Sequence, residues 1–470
     1  MRLQKLSPFI LFALFTFFIQ RNLFFENFNI DEIILYFSSL GIPFHDLTSP
    51  SLAHAPLKDF TKILFVNSHG GSMDPGGFNF VIFIWNSLGE LFGIKSAFFL
   101  RLLPFSFFLV SFLLYSLFLK SFRIAPLVGA LLLYLIWQDQ IFFDYLFTVR
   151  PYIMEVCAVL TLCALLYFKL LEPKEEKSAH FILLGIPLAF FASSRYTVWP
   201  IILLALLYLF WLYQKEKRVL RPLCVFIPSL LMMAIFSFTS LRLQIHYHLP
   251  YMERQFLGGY GFWPTVKQLM NPMVFAFLSY PVFHFFFNQE ATSKQRSYSL
   301  FLLFFMVVTL LLDLFNLSPF AMDQRFTLFF HAVALLNFSL LISPVLESGF
   351  SRWSIQSLLA VFIPGFLSLY FFSFQKIYFR QASDLLPITS HLSTILSPKD
   401  HIYCDQDTWG MIHFHKAVLK SSKVPQCKPL ENLSSNQPQG QKNYILKRTG
   451  TLVAGKVILG GTYEQLLLKE

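Results

Sequence analysis

The chain has 470 residues, of which 55% are hydrophobic and 13% charged, whereas soluble domains carry roughly 25% charged residues. This composition excludes an ordinary soluble globular protein and predicts a polytopic membrane protein. The formal net charge of +11 comes from Lys and Arg in short clusters between apolar runs. That pattern is typical of membrane topology signals and excludes a nucleic-acid-binding surface.

The first apolar run, near residues 6–25, is long enough to cross about 30 Å of hydrocarbon, and its one charge, Arg21, lies near its outer end. Because it lacks a small-residue cleavage site, we expect a retained helix and not a removed signal peptide. Asp31 and Glu32 follow where the chain leaves the bilayer. Either they cap the short helix predicted over Ile33–Leu40, or they supply a carboxylate whose pKa is raised near the low-dielectric interface, which makes it a general base.

The first outer connection, about 26–101, is long, and we predict that it contains helices lying in the membrane interface. The clearest is Phe78–Phe92, whose length of about 15 residues is too short for a full crossing. A turn rich in Gly and Pro precedes it and contains Asp74. Asp74 either caps this helix or, together with His69, holds a divalent cation.

Beyond this connection, apolar runs alternate with short polar connections. Counting each run of about 17–22 apolar residues as one span predicts about eleven transmembrane helices. They lie near 6–25, 102–119, 124–142, 152–171, 180–197, 198–213, 222–240, 271–288, 299–315, 326–343 and 354–374. With a cytoplasmic N-terminus, every second connection is basic, as the usual excess of Lys and Arg in cytoplasmic loops requires. An odd number of spans then places the C-terminal tail outside.

The tail, residues 375–470, is predicted to form a small extracytoplasmic α/β or α+β domain after an all-α membrane domain over residues 1–374. Its predicted elements are a helix over Leu385–Leu396, strands over His401–Cys404, Tyr444–Leu446 and Thr451–Val453, and a polar linker over Glu431–Gln441. Cys404 and Cys427 can pair there if the tail is extracytoplasmic. The other three cysteines, Cys157, Cys163 and Cys224, fall in apolar runs and are expected to pack.

The outer connections share one further feature, an arginine beside an aromatic residue or a proline at the end of a span. These arginines are Arg101, Arg150, Arg195 and Arg325, and the neighbouring aromatic residues include Tyr152 and Tyr196. One such arginine is usually a snorkelling anchor. Four on one side, at the ends of different spans, are better explained by a bound phosphate, because guanidinium groups hold phosphate oxygens in pairs and stay charged at the interface.

An acidic base together with a phosphate site predicts transfer of a sugar from a lipid phosphate, with the carboxylate taking the proton of the acceptor. The chain also resembles the polyprenyl-phosphate-sugar-dependent glycosyltransferases of the GT-C fold, a superfamily that includes protein O-mannosyltransferases and lipid A aminoarabinose transferase. The resemblance covers most of residues 1–345. Its carriers are Asp31-Glu32, Asp74-Pro75, Phe92-Gly93, Arg101-Leu102-Leu103-Pro104, Arg150-Pro151-Tyr152 and Arg195-Tyr196-Thr197.

The resemblance implies that Asp31 is the general base or orients the acceptor, that Asp74 lies near a metal or phosphate, and that Arg101, Arg150 and Arg325 contact the donor phosphate. It also implies an undecaprenyl- or dolichyl-type donor, of which we prefer undecaprenyl in a bacterial inner membrane, and a lipid, glycan or protein acceptor. The chain departs from the family where Asp74-Pro75 lacks a second proline and where Phe326 follows Arg325 in place of tyrosine.

Two other functions are open. A lipid or polysaccharide transporter or flippase would show repeated halves and ionisable groups in the middle of spans, whereas Asp139, Asp144, Glu155 and Asp313 lie toward predicted outer ends. A non-catalytic membrane scaffold would share the fold without the chemistry.

Overall fold

The computed structural model describes fifteen stretches of the chain. They are residue 28 and residues 30–40, 75–94, 96–121, 148–172, 177–214, 220–237, 272–288, 291–314, 328–348, 385–419, 425–433, 442–448, 455–460 and 464–468. The chain divides into two compact units. We call Met1–Gln20 with Pro104–Ile377 the helical unit, and Arg21–Leu103 with Tyr378–Glu470 the mixed unit.

The mixed unit begins with two short helices. Helix α1 (Ile30–Ser38) starts three residues earlier than predicted, so Asp31 and Glu32 lie inside its first turn, where acidic residues are favoured by the helix dipole. Helix α2 (Gly77–Leu91) has the 15 residues predicted for the interfacial helix. It ends in a Schellman turn, in which Gly93 takes a left-handed conformation with φ of 67° and Ile94 N–H donates to the Gly89 carbonyl at 2.7 Å.

Helix α3 (Ala97–Ser121) begins in the mixed unit and continues in the helical unit. The helical unit adds further helices, whose apolar runs bury their side chains against one another. They are α4 (Tyr152–Leu165), continued by a π-helical turn over Leu166–Leu170; α5 (Ser178–Ala192); a 3-10 turn over Tyr196–Val198 leading into α6 (Trp199–Tyr213); α7 (Leu220–Leu223); α8 (Ile227–Phe236); α9 (Pro272–Val282), continued by a π-helical turn over Phe283–Phe287; α10 (Ser293–Leu314); and α11 (Leu328–Ser348).

Among the described residues, four helices are long and apolar enough to cross a membrane: Ala97–Tyr115, Tyr152–Leu170, Tyr196–Tyr213 and Ser293–Leu311. Membrane character is thus supported, but the predicted total of about eleven spans is not confirmed. Four more apolar helices are shorter, over Ser178–Ala192, Arg221–Phe236, Val274–Phe287 and Phe329–Phe338. The predicted spans near 6–25, 124–142 and 354–374 lie outside the described residues.

The backbone of helix α5 packs closely against the backbone around Val225, and this contact sets the position of α5 in the helical unit. A Cβ atom on Gly185 would lie 1.9 Å from the Val225 carbonyl oxygen. Only glycine therefore allows α5 to contact the segment between α7 and α8 at this distance.

The tail supplies the rest of the mixed unit. It contains α12 (Leu385–Ile395), β1 (His401–Cys404), α13 (Gln406–His413) with a π-helical turn over Phe414–Val418, β2 (Lys428–Pro429), β3 (Asn443–Arg448), β4 (Lys456–Gly460) and β5 (Glu464–Leu468). The sheet has the order β2-β1-β3-β5-β4, with β1 parallel to β2 and β3, and β5 antiparallel to β3 and β4. The predicted α12, β1 and β3 are confirmed, whereas Thr451–Val453 lies outside the described residues.

A disulfide joins Cys404, at the end of β1, to Cys427, just before β2, with 6.1 Å between their Cα atoms. Cys157 and Cys163 are buried thiols in α4, as their apolar surroundings predicted. The predicted first domain, residues 1–374, includes the connection 26–101, whereas the division into compact units groups Arg21–Leu103 with Tyr378–Glu470. Contacts between α1 and α13 provide the reason, as described below.

Candidate functional site

The first cluster of charged groups lies in the mixed unit. Arg101 donates from Nη1 to Glu32 Oε1 at 3.4 Å, and both side chains are buried, with exposures of 5% and 2%. Sixty-nine residues of sequence separate them. Arg101 comes from the first turns of α3 and Glu32 from the first turn of α1. The acidic motif and one of the predicted arginines are therefore brought together.

Aromatic rings enclose this ion pair. The Arg101 guanidinium carbon lies 4.2 Å from the centroid of the Phe28 ring, which is 1% exposed. Such a cation–π contact excludes water from the pair and strengthens its electrostatic attraction. One turn further along α1, burial and then the negative charge of Glu90 raise the pKa of Tyr36 to about 12, so its hydroxyl stays neutral at physiological pH.

The second cluster lies in the helical unit, around the first turn of α4. Arg195 donates from Nη1 to Glu155 Oε2 at 3.2 Å, and Thr197 donates its hydroxyl to Glu155 Oε1. Glu155 has no exposed surface and Arg195 is 5% exposed. A carboxylate at this depth needs such partners, because burial without them is costly.

Tyr152 joins the two predicted arginines of this cluster. The Arg195 guanidinium carbon lies 4.5 Å from the centroid of the Tyr152 ring, and that of Arg150 lies 5.3 Å from it. Arg150 also donates from Nη2 to the Tyr152 hydroxyl oxygen at 2.9 Å. Two guanidinium groups from sequence positions 45 residues apart thus lie on one ring.

The local sequence explains how Arg195 reaches α4. Helix α5 ends at Ala192, and the hydroxyls of Ser193 and Ser194 donate to carbonyls in its last turn. Arg195 is then fully extended, with φ of −150° and ψ of 141°, before the 3-10 turn begins. Polar residues and the extended backbone end the helix here, so the next side chains can turn toward α4.

The structure describes only some of the remaining predicted site residues. Tyr196 packs edge-on against Trp199 with 4.7 Å between ring centroids, and it lies next to Arg195 in the 3-10 turn. Asp31 lies in α1, but its side chain is outside the described part of the structure. His69, Asp74 and Arg325 lie outside it altogether, so their roles remain predictions. Gly76 is the residue that precedes the first turn of α2.

Sequence reasoning missed Glu155 and Thr197 as members of the second cluster. Glu155 was noted only as an acidic residue near a span end, although an ionisable side chain in an apolar helix is itself a signal of a functional site. Its spacing of three residues from Tyr152 places both on one helix face, which the sequence alone could have revealed.

In the part of the chain that the structure describes, no three His, Cys, Asp or Glu side chains are close enough to hold a metal ion. Because His69 and Asp74 lie outside that part, binding of a divalent cation stays a prediction.

No protein-family model matches the chain, and no curated protein sequence matches it significantly. The function must therefore be inferred from its residues and their contacts.

Proposed function

We propose that the protein is an integral-membrane inverting glycosyltransferase that moves a sugar from a polyprenyl-phosphate donor to an acceptor on the extracytoplasmic face. This proposal rests on one observation: the guanidinium groups of Arg150 and Arg195 both lie against the ring of Tyr152. Paired guanidinium groups suit the oxygens of a phosphodiester. Glu155, which accepts a hydrogen bond from the Thr197 hydroxyl, holds Arg195 in place and so reduces the conformational freedom that phosphate binding would otherwise remove.

The acidic motif supplies the second requirement of the reaction. A carboxylate of Asp31 or Glu32 accepts the proton of the acceptor hydroxyl as its oxygen attacks the anomeric carbon. The bond between that carbon and the phosphate oxygen breaks, and polyprenyl phosphate leaves as an anion of the kind that guanidinium groups stabilise. Direct displacement without a covalent sugar–enzyme intermediate inverts the configuration at the anomeric carbon.

Two observations bear on location. The four membrane-length helices support an integral membrane protein. The disulfide between Cys404 and Cys427 supports an extracytoplasmic tail, because such bonds persist in oxidising compartments. We therefore propose a cytoplasmic N-terminus and an extracytoplasmic tail. From the family resemblance alone, we favour a bacterial inner membrane with an undecaprenyl donor.

Glu155 lies in the first turn of α4, at the end of a candidate span and not in its middle. This position fits a site at the membrane surface better than a mid-span pathway of a transporter.

The test measures transfer of labelled sugar from a panel of synthetic undecaprenyl-phosphate sugars to total envelope extract, by protein reconstituted in liposomes. We expect transfer by the wild type, loss of at least about 100-fold with Asp31→Asn or Glu32→Gln, and weaker binding of undecaprenyl phosphate with Arg150→Gln. The matched control is Arg296→Gln, which removes an arginine from a predicted cytoplasmic connection. Unchanged transfer by both acid variants, with normal membrane insertion, would refute the proposal.

A further inference from the structure

One ring of the C-terminal domain is buried against the helix that bears the acidic motif. Phe414 directly follows α13 and is 1% exposed. Its centroid lies 5.2 Å from that of Phe28, 5.1 Å from that of Tyr36 and 6.3 Å from that of Phe37, in edge-to-face arrangements. These are favourable geometries for aromatic pairs. A residue far along the chain therefore belongs to the core around α1.

The same ring contacts one residue that packs on the partner of Glu32 and one residue in the next turn of the helix that carries Glu32. Phe28, which Phe414 contacts, is the ring beneath Arg101, and Arg101 donates to the Glu32 carboxylate. Tyr36, which Phe414 also contacts, lies four residues after Glu32 and so on the same face of α1. A shift of Phe414 would therefore move the partner of Glu32 and the next turn of its helix together.

Several contacts fix the position of the segment from Cys404 to Phe414. Cys404, at its start, is tied to Cys427 by the disulfide. The Asp405 side chain caps α13 by accepting from Thr408 N–H at 3.0 Å. Together with the parallel pairing of β1 and β3, these contacts fix where α13 begins and hence where Phe414, the residue after its end, lies.

We propose that Phe414 is a positioning residue for the acidic motif, so that the C-terminal domain forms part of the glycosyl-transfer site. This inference rests on the proposed function. Phe414 touches no reacting atom. Its role is to hold Glu32 and the first turn of α1 within the small tolerance that proton transfer requires, because a misplacement of about 1 Å costs on the order of 100-fold in rate.

The first arm of the test measures the contact without using activity. Cysteines replace Tyr36 and Phe414 in full-length protein whose other free cysteines are changed to serine, and a short bifunctional thiol reagent is added to membranes. We expect a cross-link in the double variant and none in either single variant. Absence of the cross-link in correctly inserted protein would overturn the inference.

The second arm measures transfer. We expect Phe414→Ala to lower kcat roughly 10- to 100-fold with the donor KM within about twofold, and to shift the acid limb of the pH–rate profile. Phe414→Leu should recover most of the activity because it keeps much of the buried volume. If Phe414→Ala does not accumulate, Tyr36→Leu supplies the comparison, because it removes the ring of α1 that Phe414 contacts and should lower kcat in the same way; a normal kcat would overturn the inference. The matched control is Val457→Ala, which truncates an exposed residue of the same domain.

The outcomes separate the two proposals. A cross-link with normal kcat in Phe414→Ala, where Glu32→Gln is inactive, overturns the positioning role and leaves the proposed function standing. Full transfer by both Glu32→Gln and Asp31→Asn refutes the proposed function, while a cross-link obtained in the same protein would still establish the contact.

Discussion

The helical unit and the mixed unit each bury an arginine–glutamate pair, but the pairs are held in different ways. Glu155 in the helical unit accepts from both Arg195 and Thr197, which lie two residues apart just before α6. Glu32 in the mixed unit accepts from Arg101 at the longer distance of 3.4 Å, and that arginine lies on the ring of Phe28. Both arginines lie on an aromatic ring, Arg195 on Tyr152 and Arg101 on Phe28, but the ring under Arg101 also contacts Phe414 of the C-terminal domain.

This difference predicts which kind of substitution should weaken each pair most. The Glu155 pair depends on charge and hydrogen bonding between neighbouring helices of one unit. The Glu32 pair depends on packing that includes Phe414, so it should respond to changes in a domain far along the sequence. Substitutions that remove charge and substitutions that remove volume should therefore rank differently in the two units.

The largest effect is expected from Glu155→Gln. The change leaves Arg195 buried without the carboxylate that neutralises it, so the free energy of unfolding should fall by about 3–5 kcal/mol. The midpoint of thermal unfolding of the purified protein in detergent measures this loss. Removing both charges in Glu155→Gln with Arg195→Gln should cost less than the sum of the single changes, and strict additivity would show that the two side chains are not coupled.

Gly185→Ala should have the next largest effect and lower the free energy of unfolding by about 1–3 kcal/mol. The added methyl group would clash with the Val225 backbone carbonyl, which cannot move aside. Gly93→Ala is the matched control. Its added Cβ meets no atom within 4 Å, but the left-handed backbone at φ of 67° costs about 1 kcal/mol for alanine. Detergent-based unfolding of both variants tests the order, and a larger loss at Gly93 would contradict the close approach of α5.

Glu32→Gln should lower the free energy of unfolding less than Glu155→Gln does, by about 1–2 kcal/mol, because Arg101 donates to Glu32 at 3.4 Å whereas Arg195 donates to Glu155 at 3.2 Å. Thermal unfolding of the two variants in detergent measures both losses. Equal losses would show that the longer contact stabilises the protein as much as the shorter one.

The smallest expected effect is a decrease in stability at acidic pH that arises from His413. Burial lowers the pKa of His413, which stacks on Trp409 with 5.1 Å between ring centroids and faces Phe37 at 6.2 Å. Because its pKa is depressed in the folded state, the stability that His413 contributes is present above its ordinary pKa of 6.5 and is lost as the pH falls below that value.

We therefore expect the contact between α13 and α1 to weaken slightly in mild acid. The Tyr36–Phe414 cysteine pair should cross-link less efficiently at pH 5 than at pH 7 when the reagent is normalised for thiolate reactivity. His413→Phe should abolish this dependence, and an unchanged dependence would exclude His413 as its source.

Much of the local structure could be predicted from sequence. Hydrophobic runs gave the positions of α3, α4, α6 and α10, and the length of α2 together with the glycine after it predicted both its extent and its end. Arg150 and Arg195, two of the four arginines that were predicted to converge, both contact Tyr152. That all four share one site and bind phosphate stays a prediction.

The partners of those residues could not be predicted in the same way. Glu155 and Arg195 are 40 residues apart, and Glu32 and Arg101 are 69 apart, so periodicity within one helix carries no information on their pairing. For the same reason, the sequence could not predict that Phe414 belongs to the core around α1. The chain has 60 phenylalanines, and nothing in the sequence distinguishes this one.

The sequence by itself determined the membrane class, most helix positions and the identity of the charged groups, because composition and periodicity act over one turn or one span. Only the tertiary structure decided which carboxylate holds which arginine and which ring of the tail supports the acidic helix. Those choices depend on desolvation and close packing between segments distant in the chain, and neither acts until the segments meet.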